Sequence, residues 1–203
     1  MKSIGKFIFS LAILGFISTS AMAAEVSIGQ AAPEFSLSDI HGQTRTLSEF
    51  KGKYVVLEWV NPDCPFVKKH YSGGNMQGLQ KTYTEKGVIW LSINSSAAGK
   101  QGNYSPEEWV SLQAEKNVSA TATLLDPDGV VGHQYGAKTT PHLFIVDPAG
   151  NLIYQGAIDD KSSTDSADIA SSTNYVAKAL DEVLAGKPVS VSETKPYGCS
   201  VKY

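Results

Sequence analysis

Residues 58–71 read Glu-Trp-Val-Asn-Pro-Asp-Cys-Pro-Phe-Val-Lys-Lys-His-Tyr. The stretch joins two kinds of chain. Residues 54–60, Tyr-Val-Val-Leu-Glu-Trp-Val, are rich in β-branched and aromatic side chains and predict a buried central strand. Asn61-Pro62-Asp63 is turn chemistry. Cys64-Pro65 then opens a helix expected to reach about residue 69, since proline suits the first helical turn, where its missing N–H costs nothing. A thiol at that junction faces unpaired backbone N–H groups and the positive end of the helix dipole, and both favour the thiolate. Lys68 and Lys69, one turn on, are expected to add positive potential. Most lone cysteines are inert core residues, but strand, turn and Cys-Pro together favour a nucleophile.

Outward from this junction, strand-like and helix-like segments alternate. Towards the N-terminus, residues 35–37 and 44–47 flank His41-Gly42-Gln43 and predict a hairpin. Towards the C-terminus, Gly73-Gly74 interrupts the first helix, a second runs from Met76 to about Lys86, and residues 88–93 form the next strand. Ser105-Pro106-Glu107-Glu108 is a capping box that starts a helix reaching about Asn117. Residues 121–125 are a short strand. Residues 142–146 and 152–155 form a hairpin about Asp147-Pro148-Ala149-Gly150. Residues 162–172, rich in Ser, Asp and Ala, read as an exposed insertion, and residues 175–185 as a closing amphipathic helix. Asp126-Pro127-Asp128-Gly129 and Asp159-Asp160 read as turn formers. The layout predicts an α/β three-layer fold, a central mixed β-sheet with helices on both faces.

The chain has 203 residues, enough for one compact domain. No repeat or second domain is visible. Lys2 and Lys6, the apolar residues 7–17 and Ala21-Met22-Ala23 have the form of a cleaved signal peptide over residues 1–23. The apolar run, about eleven residues, falls short of the roughly twenty that span a bilayer. Residues 24–203 would then form the mature domain, with a tail at 186–203, no membrane segment and a periplasmic location. Removing residues 1–23 takes away two lysines and no acids, moving the formal charge from −3 to −5. A mildly acidic chain gives no support to nucleic-acid binding. Both cysteines, Cys64 and Cys199, remain, and an exported chain can oxidise them.

Residues 58–71 resemble the active-site segment of the thioredoxin-like redoxin superfamily. Cys-Pro-Phe-Val-Lys within it resembles the peroxiredoxin-like group, the alkyl hydroperoxide reductase/thiol-specific antioxidant relatives. Thr139-Thr140-Pro141 before a strand is similar to the cis-proline loop of that fold, and residues 198–203 resemble the group's carboxyl terminus. The resemblance spans about residues 28–203. It implies a thioredoxin-like fold, a cis Pro141 lying against Cys64, and a Thr140 that offers backbone hydrogen bonds to a substrate thiol. It also departs from the family pattern. Val67 stands where thioredoxin-type oxidoreductases carry a second cysteine. Leu57 and Asn61 stand where peroxiredoxins resemble a pattern of proline and threonine or serine. The only arginine, Arg45, lies in the N-terminal hairpin. Asn61 is the candidate to donate one substrate hydrogen bond in place of the hydroxyl.

The implied activity is that of a thiol-dependent oxidoreductase. Cys64 would reduce a hydroperoxide, with Cys199 as resolving cysteine through a sulfenic acid, or exchange disulfides. Its partners would be a small peroxide or a protein thiol or disulfide, plus an external thiol reductant, with no bound cofactor. The alternatives are a binding module in which Cys64–Cys199 is a permanent staple, and a metallochaperone. For the last, Cys64 with His142 and another histidine would supply suitable ligands, but the second cysteine that related copper-delivery proteins use is missing. His133 is expected in a turn or loop and His142 beside the site. No metal is expected.

Overall fold

The computed structural model describes residues 26–203. The expected signal segment, residues 1–23, lies outside them. Among the described residues no helix is long and apolar enough to cross a membrane.

The strands are β1 (Ser36–Asp39), β2 (Thr44–Thr46), β3 (Val55–Trp59), β4 (Ile89–Asn94), β5 (Ala122–Leu125), β6 (Thr139–Thr140), β7 (His142–Val146), β8 (Leu152–Gly156) and β9 (Cys199–Ser200). The helices are α1 (Pro65–Ser72), α2 (Asn75–Glu85), α3 (Pro106–Lys116), α4 (Val130–Tyr135) and α5 (Tyr175–Leu184). Seven strands form one mixed sheet in the order β2-β1-β5-β4-β3-β7-β8, and β6 pairs with β9 separately. The central strand β3 runs parallel to β4 and antiparallel to β7. It is buried at every position, as a strand covered on both faces must be.

The pleat of β3 divides the core. Val55, Leu57 and Trp59 face one side, with Val131 and Tyr135 of α4. Val56 faces the other, with Met76 and Tyr83 of α2 and Val176 and Leu180 of α5. Trp59 lies 5.3 Å from Tyr135 and 5.2 Å from Phe144, centroid to centroid, contacts that add about 0.5–1.5 kcal/mol each beyond area burial. The Ser105/Glu108 capping box forms as read, and α3 ends on Asn117 with φ 52°.

The sequence reading missed α4. It has only six residues and contains Gly132, too little for a helical period to register. What starts it is Asp126, a residue read as a turn former. Its buried carboxylate accepts the N–H groups of Val131 (3.2 Å) and Gly132 (2.9 Å), and Ser95 Oγ donates to it at 2.6 Å. His133 therefore sits on a helix, stacked 3.9 Å from the Tyr203 ring, rather than in a turn. The segment at 162–172 contains a short 3-10 helix, Ser166–Ser171, against the C-terminal end of α1.

The tail is laced down along its length. Thr194 bonds Tyr154 and the Ala157 N–H. The Tyr197 hydroxyl donates to Asp159 and lies 3.3 Å from His70 Nε2. Ala97 N–H donates to Lys202 O at 2.8 Å, and the Tyr203 hydroxyl to Ala137 O at 2.7 Å.

Candidate active site

Cys64 is the residue that caps α1. Its carbonyl accepts the Lys68 N–H at 2.9 Å, its own N–H donates to Asn61 O at 3.1 Å, and Pro65 occupies the first helical position. Its side chain is completely enclosed, packed with Val60, Val67 and Trp109. The sulfhydryl donates to Thr140 O at 3.0 Å, and the Thr140–Pro141 bond is cis. Thr140 thus offers its carbonyl to the chain's own thiol. Its hydroxyl is buried beside the Cys64 sulfur.

The antiparallel β6–β9 register sets Cys199 opposite Thr140, which brings the tail cysteine to the same place. This approach depends on Gly198. Its φ is 135°, and a Cβ there would stand 2.1 Å from Thr140 O, so only glycine fits. Both thiols are free; Cys199 packs against the cluster that encloses Cys64, and each thiol shifts the titration of the other.

The pair is polarised. Burial would raise the Cys64 pKa, but hydrogen bonds from the Cys199 thiol and the Thr140 side chain outweigh it, helped by the N–H groups of Val67 and Cys199. The Val67 N–H acts on the sulfur without forming a regular capping bond. Cys199 moves the other way. Burial, then its hydrogen bond to Cys64 and the charge developing there, push it up to about 11. One sulfur is set to hold the negative charge and the other the proton.

The other expected residues divide. Asn61 Oδ1 accepts the Asp63 N–H at 2.9 Å, and its Nδ2 donates to Gln101 O at 3.1 Å. Its amide braces the turn and the loop after β4. Arg45 is committed to Asp39, Glu49 and Gln43 in the N-terminal hairpin. His142 is buried, accepts the Lys138 N–H on Nδ1 at 3.3 Å and tilts against Phe144. Burial lowers its pKa to about 3. Among the described residues no group of three His, Cys, Asp or Glu is arranged to hold a metal ion.

Lys69 corrects a sequence expectation. It does not add potential at the helix surface but is fully buried, 3.6 Å from Asp159 Oδ2, and donates to Lys161 O at 2.7 Å. Asp159 is accordingly the buried partner of a cation, not merely a turn former. His70 sits beside them. Burial, opposed by Asp159 and aided by Lys69, lowers its pKa to about 4.

Sequence reading also passed over Glu58, at the centre of β3. Its carboxylate accepts bonds from Trp90 Nε1 (2.8 Å), Tyr71 (2.8 Å), Gln80 (3.2 Å) and Ser92 (3.2 Å). Burial raises its pKa against those four donors. An acid inside an otherwise apolar strand was the available signal. An apolar cavity of about 350 Å³ lies between α1 and α3, and neither cysteine lines it.

The model of the AhpC/TSA family matches residues 28–155. The chain belongs to the AhpC/TSA family. Among curated relatives, it is 27% identical over 145 residues to the thiol-disulfide oxidoreductase ResA of Geobacillus thermodenitrificans (strain NG80-2), covering 70% of this chain and 78% of that protein. Among solved structures, it resembles a conserved protein from Geobacillus kaustophilus with a TM-score of 0.73 and 29% identity, over 87% of this chain and 92% of the other. The fold is also shared with the thioredoxin domain of a thiol-disulfide oxidoreductase from Bacteroides vulgatus, with a TM-score of 0.51 and 24% identity over 64% and 89%. The expected thioredoxin-like architecture is therefore found, and with this AhpC/TSA membership the chain falls in a class of thiol-dependent redox proteins.

Proposed function

We propose that this AhpC/TSA chain is a thiol–disulfide oxidoreductase whose working couple is Cys64 and Cys199. The observation that carries the reading is the polarised thiol pair beside the cis Thr140–Pro141 bond, with Cys199 delivered by β9. Likeness to ResA, a thiol-disulfide oxidoreductase by name, supports it. A thiolate held next to a protonated thiol is the reduced state of such a couple, and removing two electrons and the one proton joins the sulfurs. Protein thiols or disulfides are the corresponding partners. An extracytoplasmic site of action, read from residues 1–23, suits a couple that cycles through a disulfide; N-terminal sequencing of the exported protein tests the cleavage.

The experiment is a redox titration of the wild type with glutathione, followed by intact mass, beside disulfide-exchange turnover of wild type, Cys64→Ser and Cys199→Ser. The reading expects reversible loss of two hydrogens and turnover lost in both variants. A bond that forms but resists the glutathione pool would instead make it a permanent staple, since structural disulfides sit below about −300 mV.

Family membership favours a second reading, peroxide reduction at Cys64 with Cys199 condensing onto the sulfenic acid. Asn61, engaged on both sides of its amide, and Arg45, held in the distal hairpin, weigh against it. Peroxide consumption abolished by Cys64→Ser, in the absence of disulfide exchange, would establish it.

A further inference from the structure

The two sulfurs of the couple differ in access. Cys64 has no exposed surface, enclosed by Val60, Val67, Trp109 and the β6–β9 pair. Cys199 is only partly buried. It lies on β9, which is paired on one side alone because its sheet has two strands. The tail that covers Cys64 is not a loose flap, since residues on both sides of Cys199 are fastened to the body at Asp159, Lys138, Ala97 and Ala137. A large thiol therefore meets Cys199 first, and meets it on the open edge of a strand, where an extended cysteine-bearing segment can lie alongside.

We propose that external thiols and disulfides exchange at Cys199, so that the mixed disulfide with a partner polypeptide forms on the tail cysteine while Cys64 serves as the buried leaving and resolving thiol. This inference rests on the Cys64–Cys199 couple proposed above.

The step balances. A partner thiolate attacks Cys199 Sγ of the Cys64–Cys199 disulfide. A partner–Cys199 bond forms, the intramolecular S–S bond breaks, and its electron pair stays on Cys64 Sγ. The partner's second thiol, after losing its proton, attacks its own sulfur in the mixed disulfide. The partner leaves oxidised by two electrons. Cys199 leaves as the reduced sulfur and takes up a proton, while Cys64 remains the thiolate. The arrangement of charge supports this direction. The better leaving group in thiol exchange is the thiol of lower pKa, and the hydrogen bonds at Cys64 stabilise it as a thiolate while Cys199 is pushed up to about 11. In reverse, Cys199 loses its proton and attacks a partner disulfide, and one partner sulfur leaves with the electron pair and takes up the proton. The Cys64 thiolate then attacks Cys199 Sγ, closing the intramolecular bond and expelling the partner's other sulfur as a thiolate.

The test uses oxidised wild-type protein, pulsed briefly with reduced glutathione, quenched in acid, then unfolded, alkylated and mapped by peptide mass. Glutathione is expected on the Cys199 peptide and the alkyl group on Cys64, in roughly tenfold excess or more over the opposite labelling. Folded Cys64→Ser exposed to glutathione disulfide is expected to gain one glutathione at Cys199. Glutathione found chiefly on Cys64 in the wild type overturns the inference and leaves the couple intact. If oxidation never joins Cys64 to Cys199, the couple fails, and this inference with it.

Discussion

Replacing Cys199 by alanine removes a hydrogen-bond donor from the Cys64 sulfur and leaves the rest of its surroundings in place. A hydrogen bond to a charged group contributes about 1.5–3 kcal/mol. A thiol is a weak donor, so the lower end applies here, and at 1.36 kcal/mol per unit that is about one pKa unit. Cys64 in Cys199→Ala should thus titrate about one unit higher than in the wild type, with a roughly tenfold smaller thiolate fraction at pH values well below the wild-type pKa. Some added hydration works against this, because burial is the largest influence on Cys64 and opposes the thiolate. Serine separates the two effects: Cys199→Ser keeps a donor of similar size, and Cys64 should stay low. The coupling must be reciprocal. In Cys64→Ser, Cys199 should fall from about 11 towards the ordinary 9.0 without reaching it, since burial persists when the neighbouring charge is gone. Thiolate absorbance followed against pH in the reduced proteins reads all three, with the wild-type steps assigned to the pair as a whole. Cys64 unmoved in Cys199→Ala, together with Cys199 unmoved in Cys64→Ser, would refute the shared hydrogen bond.

Three further outcomes follow from the groups that hold the tail. His70, facing Asp159, Lys69, Tyr197 and Asn75, has its pKa lowered from 6.5 to about 4. The unfolded chain therefore binds more protons between those values. The neutral ring's contribution, on the order of 3 kcal/mol, is present above pH 6.5 and lost as pH falls towards 4; urea unfolding of His70→Gln should show a shallower acid loss than the wild type. Lys69→Met leaves Asp159 buried and unpaired, at a cost of about 3–5 kcal/mol, and Lys69→Met with Asp159→Asn should regain part of it in the same assay; equal stability of the two variants would contradict the pairing. Gly198→Ala should cost about 1–3 kcal/mol for a side chain at φ 135° and slow Cys64–Cys199 oxidation, read as the rate of disulfide formation by intact mass.

Much of the fold was legible because its signals are local. The apolar run before Cys64, the proline after it and the Ser105/Glu108 box each act within one turn of chain, and each element formed within a few residues of its expected place. Where several residues must cooperate over distance, the sequence was silent. The helix α4 exists because Asp126 reaches its first N–H groups from the end of β5. Adjacent Lys68 and Lys69 look alike in sequence, yet one is exposed and the other is turned onto Asp159. Helical rotation decides that, together with a partner from beyond β8.

The site divides in the same way. Cys64 and its thiolate-favouring setting could be read from a strand, a turn and Cys-Pro, whereas the cis bond was implied only by the family resemblance of Thr139-Thr140-Pro141. The position of Cys199 could not. Its two-residue strand has no periodicity, and what brings it to Thr140 is a chain of tertiary contacts through Tyr197, Gly198 and Tyr203. Val67 explains why that distance matters. A second cysteine at that position would make the couple a property of one helical turn. Here the second thiol arrives from the far end of the chain, so the couple is as well ordered as the tail that carries it. Closing so long a loop is worth at most roughly 5 kcal/mol in the unfolded chain's entropy. In the folded chain the tail is already fastened, and most of that ordering precedes the bond. The fastening at Asp159 and Ala137 thus bears directly on how readily the sulfurs join.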